Sequence, residues 1–152
     1  MSAQLPDITP RQIEAFRRFL LLLPHGKDRG LVVLKAHLLI EEQVRQLVFN
    51  RAENPKAVVE ASLDCHQCIC LAQSLYADDF QPWLWATLKK LNKIRNDIVH
   101  NIQPAGLQDR MNDFVDSFPS DFRNADELTR FEMTLWSLFT SISGLVDGRA
   151  QP

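Results

Sequence analysis

Between Lys89 and Asn101 lie four bases, one acid and a histidine, a local charge of +3 in a chain whose formal total is −2. By contrast, Asp109 to Glu132 holds seven acids and three bases, a net of −4. Charge is therefore segregated, and the basic stretch is the one suited to hold an anion such as a phosphate. Helical geometry puts Lys89, Lys93, Asn96 and His100 on one polar face, opposite Leu84, Leu88, Leu91 and Ile98. Arg95 lies on the flank of that face, about 140° from His100 at ~100° per residue. The guanidinium and the imidazole meet only where the long arginine stem curls round or the helix distorts near its end. A histidine and an asparagine at a helix C-terminus also satisfy ordinary capping and dipole preferences.

Two other groups of residues carry candidate chemistry. Cys65-His66-Gln67-Cys68-Ile69-Cys70 has spacings that suggest metal ligands, yet zinc takes four donors, usually as two separated pairs, and no second Cys or His cluster exists. On a helix Cys65 and Cys68 share a face while Cys70 points elsewhere, so the expected role of Cys68 or Cys70 is that of a small core residue. No metal and no cofactor are expected. Glu41 borders an apolar stripe after Leu34 and Leu38; its expected partner is Arg45, four residues on, with a role in orienting a basic residue of a later helix as the alternative. Gly-x-Gly-x-x-Gly, phosphate-loop, Gly-x-Ser-x-Gly and His-Glu-x-x-His patterns are absent.

The elements that must position these groups read as helices. Thr9-Pro10 opens a first helix carrying Ile13, Phe16, Leu20 and Leu23, and Pro24-His25-Gly26 ends it. Asp28 caps a longer one from about Arg29 to Asn50, with Val33, Ala36, Ile40, Val44 and Leu47 in one stripe and Leu31, Leu34 and Leu38 in a neighbouring one. Two adjoining stripes predict a central helix. Asn54-Pro55 breaks the chain, and a third helix is expected within Lys56 to Tyr76, with Leu63, Ile69, Leu71, Ala72 and Leu75 as its apolar surface. Gln81-Pro82 opens a fourth, which Asn101 and Pro104 close. A weaker helix spans about Gly106 to Asp116, a loop runs through Pro119 and Asp121, and a final helix presents Leu128, Phe131, Leu135, Leu138, Ile142 and Leu145 on one face. The expectation is an all-α bundle of five or six helices forming a single domain over residues 1–152.

Composition agrees with this plan. The chain has 152 residues, 45% hydrophobic and 24% charged, which is long enough to bury a core without a metal or disulfide staple. Only five glycines leave little material for hairpins or phosphate loops. The longest apolar run, Phe19 to Leu23, is far short of the ~20 residues that span a bilayer. Three cysteines, and a start without basic and apolar signal regions, predict a cytoplasmic protein with no membrane partner. A slightly negative total charge excludes nucleic-acid binding by bulk charge and leaves only a local basic patch for it.

Arg95-Asn96-x-x-x-His100 near the end of an amphipathic helix, in a small all-α chain, resembles the signature of the HEPN family, whose helical domains include many metal-independent ribonucleases. An Asn directly after the Arg, the apolar pair Ile98-Val99 before the His and the Leu91-x-x-Ile94 rhythm give the pattern its context. Asp28-Arg29-Gly30, then Leu38-Leu39-Ile40-Glu41-Glu42, with Ile94-Arg95-Asn96-Asp97 downstream, is also similar to the mannitol operon repressor branch of that clan. The resemblance covers about Arg29 to Asn101.

What the resemblance implies is a homodimer in which two such helices face one another and the paired Arg, Asn and His line a cleft. RNA brings its own nucleophile, the 2′-hydroxyl, so cleavage needs a proton acceptor, a proton donor and a cation at the phosphate. On this basis His100 is the acid or base, Arg95 holds the phosphate and Asn96 orients the site or bonds the substrate, with Asp97 and Glu41 as supporting residues of the site, while Lys89 and Lys93 attract the RNA backbone. The expected function is a metal-independent endoribonuclease of toxin or defence type, with an antitoxin or regulatory protein as its implied partner. Two alternatives stand beside it. One is a non-catalytic regulator resembling the mannitol operon repressor, acting through protein contacts; His100 is followed by Asn101-Ile102 and so lacks the His-x-Tyr extension of one toxin branch. The other is a phosphate clamp without turnover.

Overall fold

A computed structural model describes residues 10–22, 29–77, 79–101, 104–119 and 125–148, except for the side chains of residues 12, 15, 16, 19, 20, 22 and 128. Among these residues all regular structure is helical, in seven segments: α1 (Pro10–Leu22), α2 (Arg29–Arg51), α3 (Pro55–Glu60), α4 (Cys65–Ser74), α5 (Pro82–His100), α6 (Leu107–Ser117) and α7 (Glu127–Val146). The expected all-α bundle is what forms, with α3 a short extra turn-and-a-half beside six longer helices. No described helix is long and apolar enough to cross a membrane.

As its apolar surface predicts, α2 is central and packs against α1, α3, α4, α5 and α7. Its first stripe is in the core: Val33, Ala36, Ile40, Val44 and Leu47 are buried. The second is not. Leu31 and Leu38 remain 43% and 59% exposed, and the core takes Val32, Leu39, Val48 and the polar His37 instead. The cause is that the neighbours of α2 cover a band rotated away from the Leu31–Leu38 line, so hydrophobicity alone misplaced the second contact face.

The single third helix expected over 56–76 is two. Ser62 adopts a left-handed φ of 49°, which turns the chain out of α3, and Asp64 then starts α4 afresh. The Asp64 carboxylate accepts from the Gln67 backbone N–H at 2.8 Å while Gln67 Oε1 accepts from the Asp64 N–H at 2.9 Å, a reciprocal capping box that fixes where α4 begins. Cys65 is thereby set at the first position of a new helix.

Pro82 opens α5 after Gln81, and the helix ends at His100 with Asn101 as its cap, so His100 stands in the last turn as expected. Leu84, Leu88, Leu91 and Ile94 are buried, and Ile98 is half-buried. In α7, Phe131, Leu135, Leu138, Ile142 and Leu145 all enter the core. Phe114 of α6 meets Phe131 of α7 edge-on, with ring centroids 5.7 Å apart. Arg11 ties α1 to the bundle, with Nε 2.6 Å from Asp147 Oδ1, Nη1 donating to Gln43 Oε1 at 3.0 Å and Nη2 donating to the Ser143 carbonyl at 2.9 Å. Ile13 of α1 is exposed. Thr9, Leu23, Pro24-His25-Gly26, Asp28, Ile102 and Asp121, and the side chains of Phe16, Leu20 and Leu128, lie outside the described residues.

Candidate functional site

Helices α2, α4 and α5 pack on one another in pairs, and where they meet they leave a cleft of about 420 Å³. Four of its residues come from α5: Asn92, Arg95, Asn96 and His100. Asn92, Asn96 and His100 follow one another at intervals of four and so share one line of the helix, while Arg95 flanks that line three residues after Asn92. The remaining walls are His37, Glu41 and Arg45 from α2, and Asp64, Cys65 and His66 from the start of α4.

Arg95 and His100 therefore share one depression despite their angular separation on an ideal helix. Arg95 is half-buried, and its Nη1 donates to Asn96 Oδ1 at 3.0 Å. It forms no ion pair with any described residue. A guanidinium in a cleft without a carboxylate partner is free to take an anion. His100 is exposed at the helix end.

The other expected residues divide. Glu41 lines the cleft and makes the anticipated intrahelical pair, its Oε1 accepting from Arg45 Nη2 at 2.8 Å and Nε at 3.3 Å. Asp97 faces away and ion-pairs with Arg110 of α6 at 2.8 Å, so it serves α5–α6 docking. Lys89 donates to Gln73 Oε1 of α4 at 2.7 Å, and Lys93 is exposed; neither lines the cleft.

Deeper in the cleft lies a polar cluster that sequence spacing did not assemble. His37 is only 3% exposed. Its Nε2 is 3.1 Å from Asn92 Oδ1 and 3.5 Å from Cys65 Sγ, and its Nδ1 lies 3.7 Å from Glu41 Oε2. Burial holds the His37 imidazole below its ordinary value, with Arg95 adding to the effect against the opposing pull of Glu41 and Asn92, so the ring is neutral at neutral pH. Burial, then the charge of Glu41, pushes the Cys65 thiol up to about 12 against the opposing influence of Arg45 and Arg95. Cys68 is buried, as expected of a core residue, and burial also raises its thiol although Arg45 Nη1 lies 3.2 Å from Sγ. Cys70 is exposed, 3.6 Å from His66 Nε2.

The residues missed were thus His37, Asp64 and Asn92, and Arg45, expected only as the partner of Glu41, is a cleft wall as well. A signal for two of them was present. His37 falls in register with Val33, Ile40 and Val44, and Asn92 follows Leu88 by four, so each is a polar residue on an apolar stripe. A second, smaller depression of about 200 Å³ between α6 and α7 is lined by Asn112, Val115, Asp116, Glu127 and Arg130, with Arg130 ion-paired to Asp116 at 3.7 Å and Gln108 donating to Asn112 and Glu127.

Comparison with protein-family models, with curated proteins and with solved structures found no match for this chain.

Proposed function

We propose that this chain is a HEPN-like, metal-independent endoribonuclease of toxin or defence type, acting as a homodimer. The observation that supports the reading above all is the open cleft in which Arg95, without an ion-pair partner among the described residues, lies alongside Asn96 and His100.

In this reading RNA threads between two copies whose α5 ends face one another. The 2′-hydroxyl attacks the adjacent phosphorus, its proton passing to one His100, and the bond to the 5′-oxygen breaks with a proton supplied by the His100 of the second copy. The products are a 2′,3′-cyclic phosphate and a free 5′-hydroxyl. Arg95 holds the crowded phosphoryl oxygens through its planar fork, and Asn96, bonded to Arg95, fixes the direction of that fork. Lys93 adds a charge that attracts the backbone without reading sequence.

The test is cleavage of mixed RNA by the purified protein in excess chelator. Wild type should cut, leaving cyclic phosphate ends. His100→Ala should lower the rate by roughly 10²–10⁴-fold, the usual contribution of general acid-base catalysis, and Arg95→Ala should lower it as well. Equal cleavage by wild type and both variants would mark a contaminant and leave the regulator reading ahead. Light scattering that returns a 17.5 kDa particle at micromolar concentration would remove the composite site.

A further inference from the structure

The deep end of the cleft contains a group whose hydrogen bonding does not close. His37 Nδ1 is buried, in a residue only 3% exposed, and makes no hydrogen bond to any described residue. Buried polar atoms are nearly always bonded, because a bare one loses the hydrogen bonds that water gave it and gains none in return. Here the nearest described anionic group is the Glu41 carboxylate, with Oε2 at 3.7 Å, too far for a hydrogen bond and close enough to share a ligand.

The surroundings explain what kind of ligand. Nε2 faces Asn92 Oδ1 at 3.1 Å and, as a donor to it, leaves the lone pair on Nδ1. Glu41 Oε1 is taken by Arg45, and Oε2, on the side of His37, accepts no hydrogen bond from any described residue. Cys65 Sγ completes the group, and one donor atom each from His37, Glu41 and Cys65 can be chosen so that all lie within 4.8 Å of one another. Donors around a four-coordinate zinc stand roughly 3.3–3.8 Å apart, from bonds of about 2.0–2.3 Å. Nδ1 and Glu41 Oε2 already meet that spacing, and the Cys65 thiol, now 3.5 Å from Nε2, closes the set by swinging toward the Nδ1 side. Imidazole, carboxylate and thiol together are the donors of a borderline transition metal and a poor match for calcium or magnesium.

We propose that His37, Glu41 and Cys65 bind a divalent transition-metal ion of the zinc class, with the fourth position open to water on the cleft side. Each of two ligands already has its outer partner, Asn92 for the imidazole and Arg45 for the carboxylate, as metal-binding side chains require for orientation. His37 and Glu41 stand four residues apart on one helix, which aims both at the same point, and the capping box of α4 sets Cys65 opposite them. On binding, the Sγ–H bond breaks, the proton leaves to solvent and a sulfur–metal bond forms. This site stands apart from the ribonuclease reading, whose chemistry needs only Arg95, Asn96 and His100.

The probe is cobalt(II), titrated into the metal-free full chain and followed by absorption, with zinc added afterwards as competitor. One equivalent should produce a thiolate-to-cobalt charge-transfer band with strong tetrahedral ligand-field bands, and zinc should bleach both. Cys65→Ser should abolish the charge-transfer band. Glu41→Gln should weaken binding at least ~10-fold, and Cys70→Ser, which alters an exposed thiol outside the cluster, should leave the titration unchanged. Circular dichroism of each variant checks that the fold is kept; should Glu41→Gln unfold, the isosteric Cys65→Ser carries the test alone. A flat titration of the wild type, or a charge-transfer band that survives in Cys65→Ser, overturns the proposal.

Discussion

The core shared by α2, α5, α6 and α7 and the cleft between α2, α4 and α5 use two of the same helices and are held by opposite means. In the core, large apolar side chains such as Phe114, Leu135 and Leu138 are wholly buried, and each touches many neighbours, so no single contact defines the arrangement. In the cleft, position is set by pairs: Asn92 with His37, Glu41 with Arg45, Asp64 with Gln67, Arg95 with Asn96. Non-directional burial supplies stability, and directional bonds supply placement. A functional site belongs in the second kind of region, because only there does one side chain fix the direction of another.

Truncation in the core should give the largest effect on folding. Phe114 is fully buried and stacks edge-on with Phe131, so Phe114→Ala should cost about 3–5 kcal/mol, measured by urea denaturation. His100→Ala, at an exposed cleft position, should stay within about 0.5 kcal/mol of wild type. A cleft variant as destabilising as the core one would break the division of labour between the two regions.

Next comes Asn92, which lies at the boundary of the two. Asn92→Ala removes the group facing His37 Nε2 and leaves a buried ring nitrogen without that partner, for an expected loss of about 1–3 kcal/mol in the same measurement. The loss should shrink when His37→Ala is combined with it, because the buried group that needed the bond is then gone. Additive losses would mean that Asn92 acts by volume alone.

How far these regions are legible from sequence follows from the same contrast. Core helices announce themselves by repetition: Leu84, Leu88, Leu91 and Ile94, or Phe131, Leu135, Leu138 and Ile142, recur on one face, and Pro82 and Asn101 mark the ends of α5. Repetition failed at Leu31 and Leu38, because periodicity gives the existence of an apolar face and says nothing of which part a neighbour covers. It failed again at Ser62, where a left-handed residue divides the expected third helix. The α5 wall of the cleft was legible, since Asn96 and His100 are helix neighbours. The opposite wall was not: His37 and Glu41 precede Cys65 by 28 and 24 residues, and only the packing of α2 on α4 brings them together. A polar residue on an apolar stripe, as at His37 and Asn92, is the one mark such a wall leaves in a sequence.

Acid offers a smaller perturbation that separates the regions without mutation. Burial keeps the His37 imidazole below its ordinary value, so near and below pH 6.5 the unfolded chain binds a proton that the folded chain refuses. The contribution of neutral His37 is therefore fully present above about pH 6.5 and is lost as pH falls toward the folded-state value. In metal-free protein the urea midpoint should drop between pH 7.5 and 5.5, and His37→Gln should flatten that drop. An unchanged slope in the variant would show that acid acts on other groups. At the alkaline end the sign reverses for Cys65: its thiol is held up near 12, so folding should lose stability above about pH 9 as the unfolded thiol ionises first.

The smallest expected effect compares two neighbouring carboxylates of α2 that each hold an arginine. Glu42 pairs with Arg18 of α1 through Nη1 at 2.6 Å and Nη2 at 3.2 Å, with both side chains about half exposed. Glu41 pairs with Arg45 at 2.8 Å, with its carboxylate only 18% exposed and the same guanidinium also donating to the Leu63 carbonyl. Bond length would rank the outer pair first; solvent reverses the order. Water and salt screen the Arg18–Glu42 charges, and two long side chains lose rotamer freedom to meet, so a double-mutant cycle should return a coupling near or below about 0.5 kcal/mol that fades at 1 M salt. The Arg45–Glu41 cycle should give a larger coupling that salt reduces less, because the carboxylate is shielded and Arg45 is already anchored by a second acceptor. Equal couplings with equal salt dependence would mean that the cleft is as wet as the outer surface, and the directional bonding that sets it apart from the core would then carry no energetic weight.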